Sequence, residues 1–307
     1  MKSINDPSED ADIINQSFIK PKKFENIIRV IAHRSNSHRQ QIVQAYNYKY
    51  QKNLISELNN ELSGNFKEAV LALFYHPVDL DCHQLRTAMK GLGTNEDTLI
   101  EILASRSNER INQIKQRYQQ LYNKNLIKDV ESDTSGLFRK ILLALLEANR
   151  PNNPNPDPQL CNDCAKRMYE AQIHKKENLH DIFIYTLTQK SREELALIAK
   201  IYYDWYSKTL FEVIESLFSS DAKKAMKAII YSLLSPSEYF AYRINKALKG
   251  LGTNDHLLIR VLVSRDEIDI ERIKRYYKQL YKTTLYDAVK KDTSGDYQTL
   301  LLELIGK

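Results

Sequence analysis

Glycine and proline are scarce in this chain of 307 residues, and long apolar runs are missing. With eight glycines, eight prolines and little strand-like alternation, the composition does not favour a β-protein. The longest apolar run in the repeats described below, residues 141–146, is far too short to cross a bilayer. The amino terminus is acidic and polar, which speaks against a secretory signal and predicts a cytoplasmic location.

Residue sets that would indicate catalysis, zinc or nucleic-acid binding are also missing. The seven histidines are scattered without a Ser/His/Asp or Cys/His set, so we do not expect an enzyme. Cys161 and Cys164 form a lone C-x-x-C pair with only His174 or His180 near in sequence, which favours unpaired cysteines over a zinc or redox site. The net charge of +6 is mild, and no basic stripe with interleaved aromatics indicates nucleic-acid binding.

What the chain does have is helical spacing of its apolar residues. Leu99, Ile102 and Leu103, and then Ile111 and Ile114, recur at three and four residues, with helix breakers between such stretches. The fold class is therefore predicted to be all-α. In the clearest segment we expect five helices, at residues 84–90, 95–106, 109–122, 126–132 and 136–147, with Asn95 as an N-cap.

A duplication organises the whole sequence. The pentapeptide KGLGT occurs at Lys90–Thr94 and again at Lys249–Thr253, and each copy is followed after 38 residues by the string DTSG. Aligning residues 85–147 with 244–306 gives 28 identities in 63 positions. Weaker copies at other offsets extend this to four units of about 70 residues, as in proteins built from stacked repeats. The predicted boundaries are a tail (1–12), repeat 1 (13–80), repeat 2 (81–148), a Pro/Asn-rich linker (149–160), repeat 3 (161–236) and repeat 4 (237–307).

The repeated motif carries the parts of an ion site with oxygen ligands. Two glycines allow the backbone to turn through conformations that residues with a Cβ avoid, so several carbonyl oxygens can point at one spot. A carboxylate from the DTSG loop can complete the shell. Ca²⁺ accepts six to eight oxygens at roughly 2.3–2.6 Å, whereas Mg²⁺ demands stricter geometry and zinc prefers Cys or His. Calcium is the predicted ion.

With this motif pair and the four-fold array, the chain resembles the annexin family over about residues 13–307. The resemblance implies four repeats of about five helices, packed into a slightly curved disc whose calcium loops lie on the convex face. It also implies docking of that face on acidic, phosphatidylserine-like phospholipid. The implied calcium ligands are carbonyl oxygens and carboxylates of Met89, Gly91, Gly93 and Asp133 in repeat 2 and of Leu248, Gly250, Gly252 and Asp292 in repeat 4.

Repeats 1 and 3 depart from the pattern. Neither has the glycines, and the acidic position is Glu61 in repeat 1 but Leu217 in repeat 3. We therefore predict two calcium sites, with a role for Glu61 left open. Lysines near the four loops are hypothesised to contact anionic headgroups, with capping of helix ends as the alternative. These residues are Lys20, Lys22, Lys23, Lys175, Lys176, Lys90 and Lys249.

The predicted function is calcium-dependent, peripheral and non-enzymatic binding to acidic phospholipid membranes. The alternative is a cytoskeleton-associated structural protein of the same fold, for which calcium and lipid binding are secondary. We expect a monomer in solution, with self-association on membranes left open. The partner of the tail and the membrane visited are not evident from the sequence.

Overall fold

A computed structural model describes residues 6–19, 24–91, 93–250 and 252–306. Within these residues the chain forms α-helices and no β-strand, as the apolar spacing predicts. The helices are α1 (Pro7–Ser17), α2 (Phe24–Ala32), α3 (Asn36–Tyr50), α4 (Leu54–Glu61), α5 (Gly64–Phe74), α6 (Pro77–Ala88), α7 (Glu96–Ser105), α8 (Asn108–Tyr122), α9 (Leu126–Asp133), α10 (Gly136–Leu146), α11 (Pro158–Ile173), α12 (Leu179–Gln189), α13 (Arg192–Tyr206), α14 (Leu210–Leu217), α15 (Ser220–Leu234), α16 (Pro236–Leu248), α17 (Asp255–Arg265), α18 (Ile270–Tyr281), α19 (Leu285–Asp292) and α20 (Gly295–Ile305).

Helix ends follow local sequence signals. The side chain of Asn95 accepts a hydrogen bond from the backbone amide three residues on, so the predicted N-cap is confirmed, and Asn254 caps α17 in the same way. The four later helices predicted in repeat 2 match α7–α10 within one or two residues. The first was predicted to begin at residue 84, whereas α6 begins at Pro77. Proline suits the first position of a helix because that amide has no partner inside the helix.

The helices form two compact units that do not follow chain order. One unit consists of Met1–Leu80 together with Ser237–Lys307, and the other of Asp81–Pro236. The first therefore pairs repeats 1 and 4, and the second pairs repeats 2 and 3. The proline-rich linker, residues 149–160, connects repeats 2 and 3 and therefore lies inside one compact unit.

In the unit of repeats 2 and 3, α7 packs on α15 and α10 packs on α12. The linker is tied to this core by Arg150, whose guanidinium donates hydrogen bonds to the carbonyl oxygens of Leu187 and Lys190 at the end of α12. Burial lowers the pKa of Arg150 to about 10. The side chain of Asn108 holds the Arg150 carbonyl at 2.7 Å. The linker is therefore an anchored segment.

In the unit of repeats 1 and 4, α5 packs on α17 and α2 packs on α20. Aliphatic side chains fill the space between them, including the fully buried Ile27, Ile31 and Leu300. Arg39 of α3 is also buried in this unit. Its Nε donates to the Ile31 carbonyl at 2.8 Å, and its Nη2 lies 3.4 Å from Asp266. Repeats from the two ends of the chain thus share one core.

Four tyrosines, one in each repeat, lie in the core: Tyr46, Tyr118, Tyr202 and Tyr277 are buried. Tyr277 lies one helical turn after the buried Ile273, so it is on the inward face of α18.

The single tryptophan, Trp205, is outside the core, with 54% of its surface exposed. Arginines at the ends of the second helices pair with carboxylates inside their repeats: Arg106 contacts Asp81 at 2.8 Å, and Arg265 contacts Asp269 at 2.7 Å. Among the described residues no helix is long and apolar enough to span a membrane.

Candidate calcium sites

The KGLGT loop of repeat 2 connects the end of α6 to the start of α7. The amide of Asn95 donates to the carbonyl of Ala88 at 2.8 Å and closes the loop at its base. Gly91 and Gly93 have φ angles of +104° and +92°, which residues with a Cβ rarely adopt. The glycines are therefore required for this backbone path.

The loop of repeat 4 has the same construction between α16 and α17. The amide of Asn254 donates to the carbonyl of Ala247 at 2.8 Å, and Gly250 and Gly252 have φ angles of +141° and +90°. The described parts of the two loops are thus closed by the same amide-to-carbonyl hydrogen bond, and both have two glycines at positive φ.

A threonine hydroxyl ties each glycine loop to the loop that carries the acidic residue. Thr94 Oγ1 donates to the backbone oxygen of Asp133 at 3.1 Å, and Thr253 Oγ1 donates to that of Asp292 at 2.9 Å. The predicted pairing of distant motifs is therefore a direct contact in both repeats. Sequence reasoning gave these threonines no role, although both stand 39 positions before the acidic residue.

The oxygen atoms available at these loops suit calcium. In the described part of the chain outside the helices, no backbone amide donates to the carbonyl oxygens of six loop residues: Met89, Gly91, Gly93, Leu248, Gly250 and Gly252. Asp133 and Asp292, at the ends of α9 and α19, are partly exposed. Asp133 also lines an open cavity of ≈ 370 Å³.

The donor set favours calcium over metals that prefer side-chain ligands. No three His, Cys, Asp or Glu side chains gather as a metal cluster within residues 6–19, 24–91, 93–250 and 252–306. A metal at these loops must therefore take backbone carbonyls, one carboxylate and oxygens from outside the protein, which is a set that Ca²⁺ accepts. Cys161 and Cys164 are free thiols, as expected.

The corresponding segment of repeat 3, residues 173–177, contains no glycine and is hydrogen-bonded to its own neighbours. Helix α11 continues to Ile173. The Gln172 carbonyl accepts from the Lys175 amide at 3.3 Å, and the Lys176 carbonyl accepts from the Leu179 amide at 3.0 Å. The backbone of repeat 3 therefore follows a different path from that of the glycine loops.

His180 replaces the threonine contact in repeat 3. Its Nε2 lies 3.1 Å from the backbone oxygen of Leu217, the residue at the acidic position. The imidazole also packs edge-on against Phe218, with ring centroids 5.1 Å apart. The two loops of repeat 3 are therefore joined by a histidine and an aromatic ring. No sequence signal pointed to this role of His180.

Of Glu61 and the predicted lipid-contacting lysines, the structure describes some but not all. Lys20, Lys22 and Lys23 of the repeat 1 loop lie outside the described residues. Glu61 is the last residue of α4 and is partly exposed. The other predicted lipid-contacting lysines are exposed beside their loops: Lys90, Lys249, Lys175 and Lys176.

Comparison with known proteins gives the family. A family model described as Annexin matches the chain in four segments, residues 9–73, 80–145, 163–229 and 239–304. The chain belongs to the annexin family. Annexin A13 of Mus musculus is 42% identical over 279 residues, which cover 91% of this chain and 88% of that protein.

Other annexins match at similar levels. Annexin A11 of Homo sapiens is 37% identical over 305 residues, 98% of this chain but 60% of that protein. The solved structure of calcium-bound annexin (Sm)1 has a TM-score of 0.88 and 30% identity over 98% of this chain and 90% of its own. Annexins are calcium-dependent phospholipid-binding proteins, so this chain binds calcium and acidic phospholipid, and nothing in these similarities favours the cytoskeletal alternative.

Proposed function

We propose that this annexin binds two calcium ions, one at the glycine loop of repeat 2 and one at that of repeat 4, and that each ion bridges the protein to an acidic phospholipid. The ligands in repeat 2 would be the carbonyl oxygens of Met89, Gly91 and Gly93 with the carboxylate of Asp133. Those in repeat 4 would be the carbonyl oxygens of Leu248, Gly250 and Gly252 with the carboxylate of Asp292. The observation that carries the proposal is the threonine contact joining both halves of each site.

Charge explains why lipid and ion would depend on each other. A single carboxylate neutralises only half the charge of Ca²⁺, so binding by the protein alone is expected to be weak, with a Kd of about 10⁻⁴–10⁻³ M. A lipid phosphate would supply further anionic oxygen and tighten the site. Calcium and membrane must then raise each other's affinity by the same factor.

Cosedimentation with phosphatidylserine vesicles tests the assignment of residues. The double variant Asp133→Ala and Asp292→Ala should lose the calcium-dependent pelleting that the wild type shows. The double variant Glu131→Ala and Asp296→Ala removes two exposed acidic side chains close to the same loops, and it should pellet as the wild type does. Equal pelleting of both variants would show that these carboxylates are not ligands.

The exposed lysines near the loops are proposed to add attraction to anionic headgroups. Each lysine near a charged surface contributes about 1 kcal/mol. In the presence of chelator, replacing Lys175 and Lys176 together with Lys20, Lys22 and Lys23 should weaken the residual binding to acidic vesicles. If the residual binding is the same for the variant and the wild type, these lysines have only a local role at helix ends.

Location and partners follow from the same mechanism. We propose a cytoplasmic, non-enzymatic protein that is monomeric in solution and attaches to membranes peripherally when calcium rises. Calcium chelation should release it from vesicles without detergent, which distinguishes peripheral binding from insertion. Binding to nucleic acid is not part of the proposed role.

A further inference from the structure

A stripe of basic side chains runs along α18 in repeat 4. Arg272, Arg275 and Lys278 are exposed and stand three residues apart, the spacing that places side chains on one face of a helix. Exposed Lys282 follows as the C-cap of α18. From first to last they span ten residues, about 15 Å of helix. We call these four residues the α18 stripe.

The α18 stripe is not neutralised by the protein. Within the described residues, Arg272, Arg275 and Lys278 have no ion-pair partner, and Lys282 donates only to the carbonyl of Gln279. The neighbouring Lys274 is different, because its Nζ contacts Glu271 and the carbonyl of Ile305, both at 3.0 Å. Uncompensated positive charge on one helix face indicates an anionic partner.

Equivalent helices do not present such a stripe. In repeat 1, Arg39 is buried in α3, and Lys49 contacts Asp12 at 2.6 Å. In repeat 2, Arg110 of α8 contacts Asp81 at 3.0 Å, and Lys115 donates to the carbonyl of Leu146 at 2.9 Å. A stripe of basic side chains without ion-pair partners therefore distinguishes α18 from the equivalent helices of repeats 1 and 2.

One helix separates each end of α18 from the acidic residue of the calcium loop. Helix α20 begins next to Asp292 and runs for 11 residues, and Lys274 of α18 contacts its last residue, Ile305. The far end of α18 leads into α19, whose eight residues return to Asp292. Each connection is one helix long, about 12–16 Å, so the ends of the stripe are set back from the calcium loop.

We propose that the α18 stripe binds an acidic polypeptide segment. Two of its members are arginines, whose forked guanidinium groups match carboxylates in two parallel hydrogen bonds. A length of about 15 Å suits roughly five residues of an extended chain. A second membrane or a long nucleic acid would present a broader anionic surface, which a stripe one helix wide does not match.

Fluorescence anisotropy of a labelled deca-glutamate peptide tests this proposal. The measurement is made in the presence of chelator, so that no calcium is bound at the glycine loops. The triple variant Arg272→Gln, Arg275→Gln and Lys278→Gln should bind at least about tenfold more weakly than the wild type, and the wild-type affinity should fall with salt. The control triple variant Lys124→Gln, Lys128→Gln and Lys200→Gln removes the same charge from exposed positions elsewhere. It should change the affinity by less than about twofold.

Two outcomes would overturn the proposal. The first is equal weakening by the two triple variants, which would mean that only net charge matters. The second is that phosphatidylserine vesicles or a single-stranded oligonucleotide, offered in the same buffer, bind through these residues while the peptide does not. Calcium-dependent vesicle binding by the α18 triple variant should stay at the wild-type level, so this test stands apart from that of the calcium loops.

Discussion

Repeats 2 and 3 lie in one compact unit and contain two versions of the same connection. Six residues separate Ala88 from Asn95 in repeat 2, and six separate Ala171 from Asn178 in repeat 3. In repeat 2 the chain turns at glycines of positive φ, and among the described residues no backbone amide donates to the carbonyls of Met89, Gly91 or Gly93. In repeat 3 the helix continues to Ile173, and the carbonyls of Gln172 and Lys176 accept hydrogen bonds within the segment. Loss of the site therefore involves the backbone as well as the missing carboxylate.

The largest effect is expected from exchanging the loop itself. Residues 172–177 placed at positions 89–94, in an Asp292→Ala background, should abolish calcium binding measured by titration calorimetry, because the glycine conformations are lost. Residues 248–253 placed at the same positions are the matched control and should preserve it. Calcium binding by the first chimera would mean that the backbone path does not decide the site.

The reverse exchange sharpens the same comparison. Leu217→Asp alone should add no calcium site to the wild type, because the carbonyls of Gln172 and Lys176 remain hydrogen-bonded within the loop. Leu217→Asp combined with residues 89–94 placed at 172–177 should raise the number of bound ions from two to three in the presence of lipid. A third ion with the single substitution would contradict the backbone argument.

A smaller effect is expected from Thr94→Val. The change removes the hydroxyl that holds the Asp133 backbone but keeps the side-chain shape. A hydrogen bond of this kind contributes about 0.5–1.5 kcal/mol, so calcium affinity at repeat 2 should fall about threefold to tenfold. Thr94→Ser keeps the hydroxyl and should restore most of the affinity. If Ser and Val behave alike in calcium titration, the tether has no part in binding.

The smallest effect on calcium is expected from His180→Ala, because repeat 3 has no proposed site. This substitution should leave calcium binding unchanged and lower the free energy of unfolding by about 0.5–1.5 kcal/mol, since the Leu217 carbonyl loses its imidazole partner. His180→Gln is the control, because its side-chain amide can still donate a hydrogen bond to the Leu217 carbonyl. Comparing the thermal unfolding of the two variants measures how much this hydrogen bond contributes to stability. A change in calcium stoichiometry would indicate that repeat 3 takes part in ion binding.

Much of this architecture follows from the sequence, because identical motifs at a fixed offset require equivalent folds. The glycine loops, the acidic positions and the N-caps Asn95 and Asn254 are local features that short segments encode. The role of Thr94 could have been inferred from its constant distance to Asp133, since both repeats preserve it. Helical spacing alone also decided the fold class.

Other features depend on which elements meet, and local patterns do not encode that. The contact of His180 with Leu217 joins residues 37 positions apart, and no repeated motif in the sequence predicts it. The exposure of Trp205 depends on what lies beside α13, and an aromatic residue near buried neighbours gives no sign of it. The pairing of repeat 1 with repeat 4 is likewise invisible without the structure, because weak similarity between repeats says nothing about their neighbours.

That pairing has a consequence for how the molecule is made. Repeats 2 and 3 are contiguous, so their unit has all its helices once residue 236 has left the ribosome. Repeat 1 is synthesised first yet must wait for α17 and α20 to cover α5 and α2. The apolar surface of repeat 1 is therefore exposed for the longest time during translation. A chain that ends before repeat 4 lacks the helices that cover this surface.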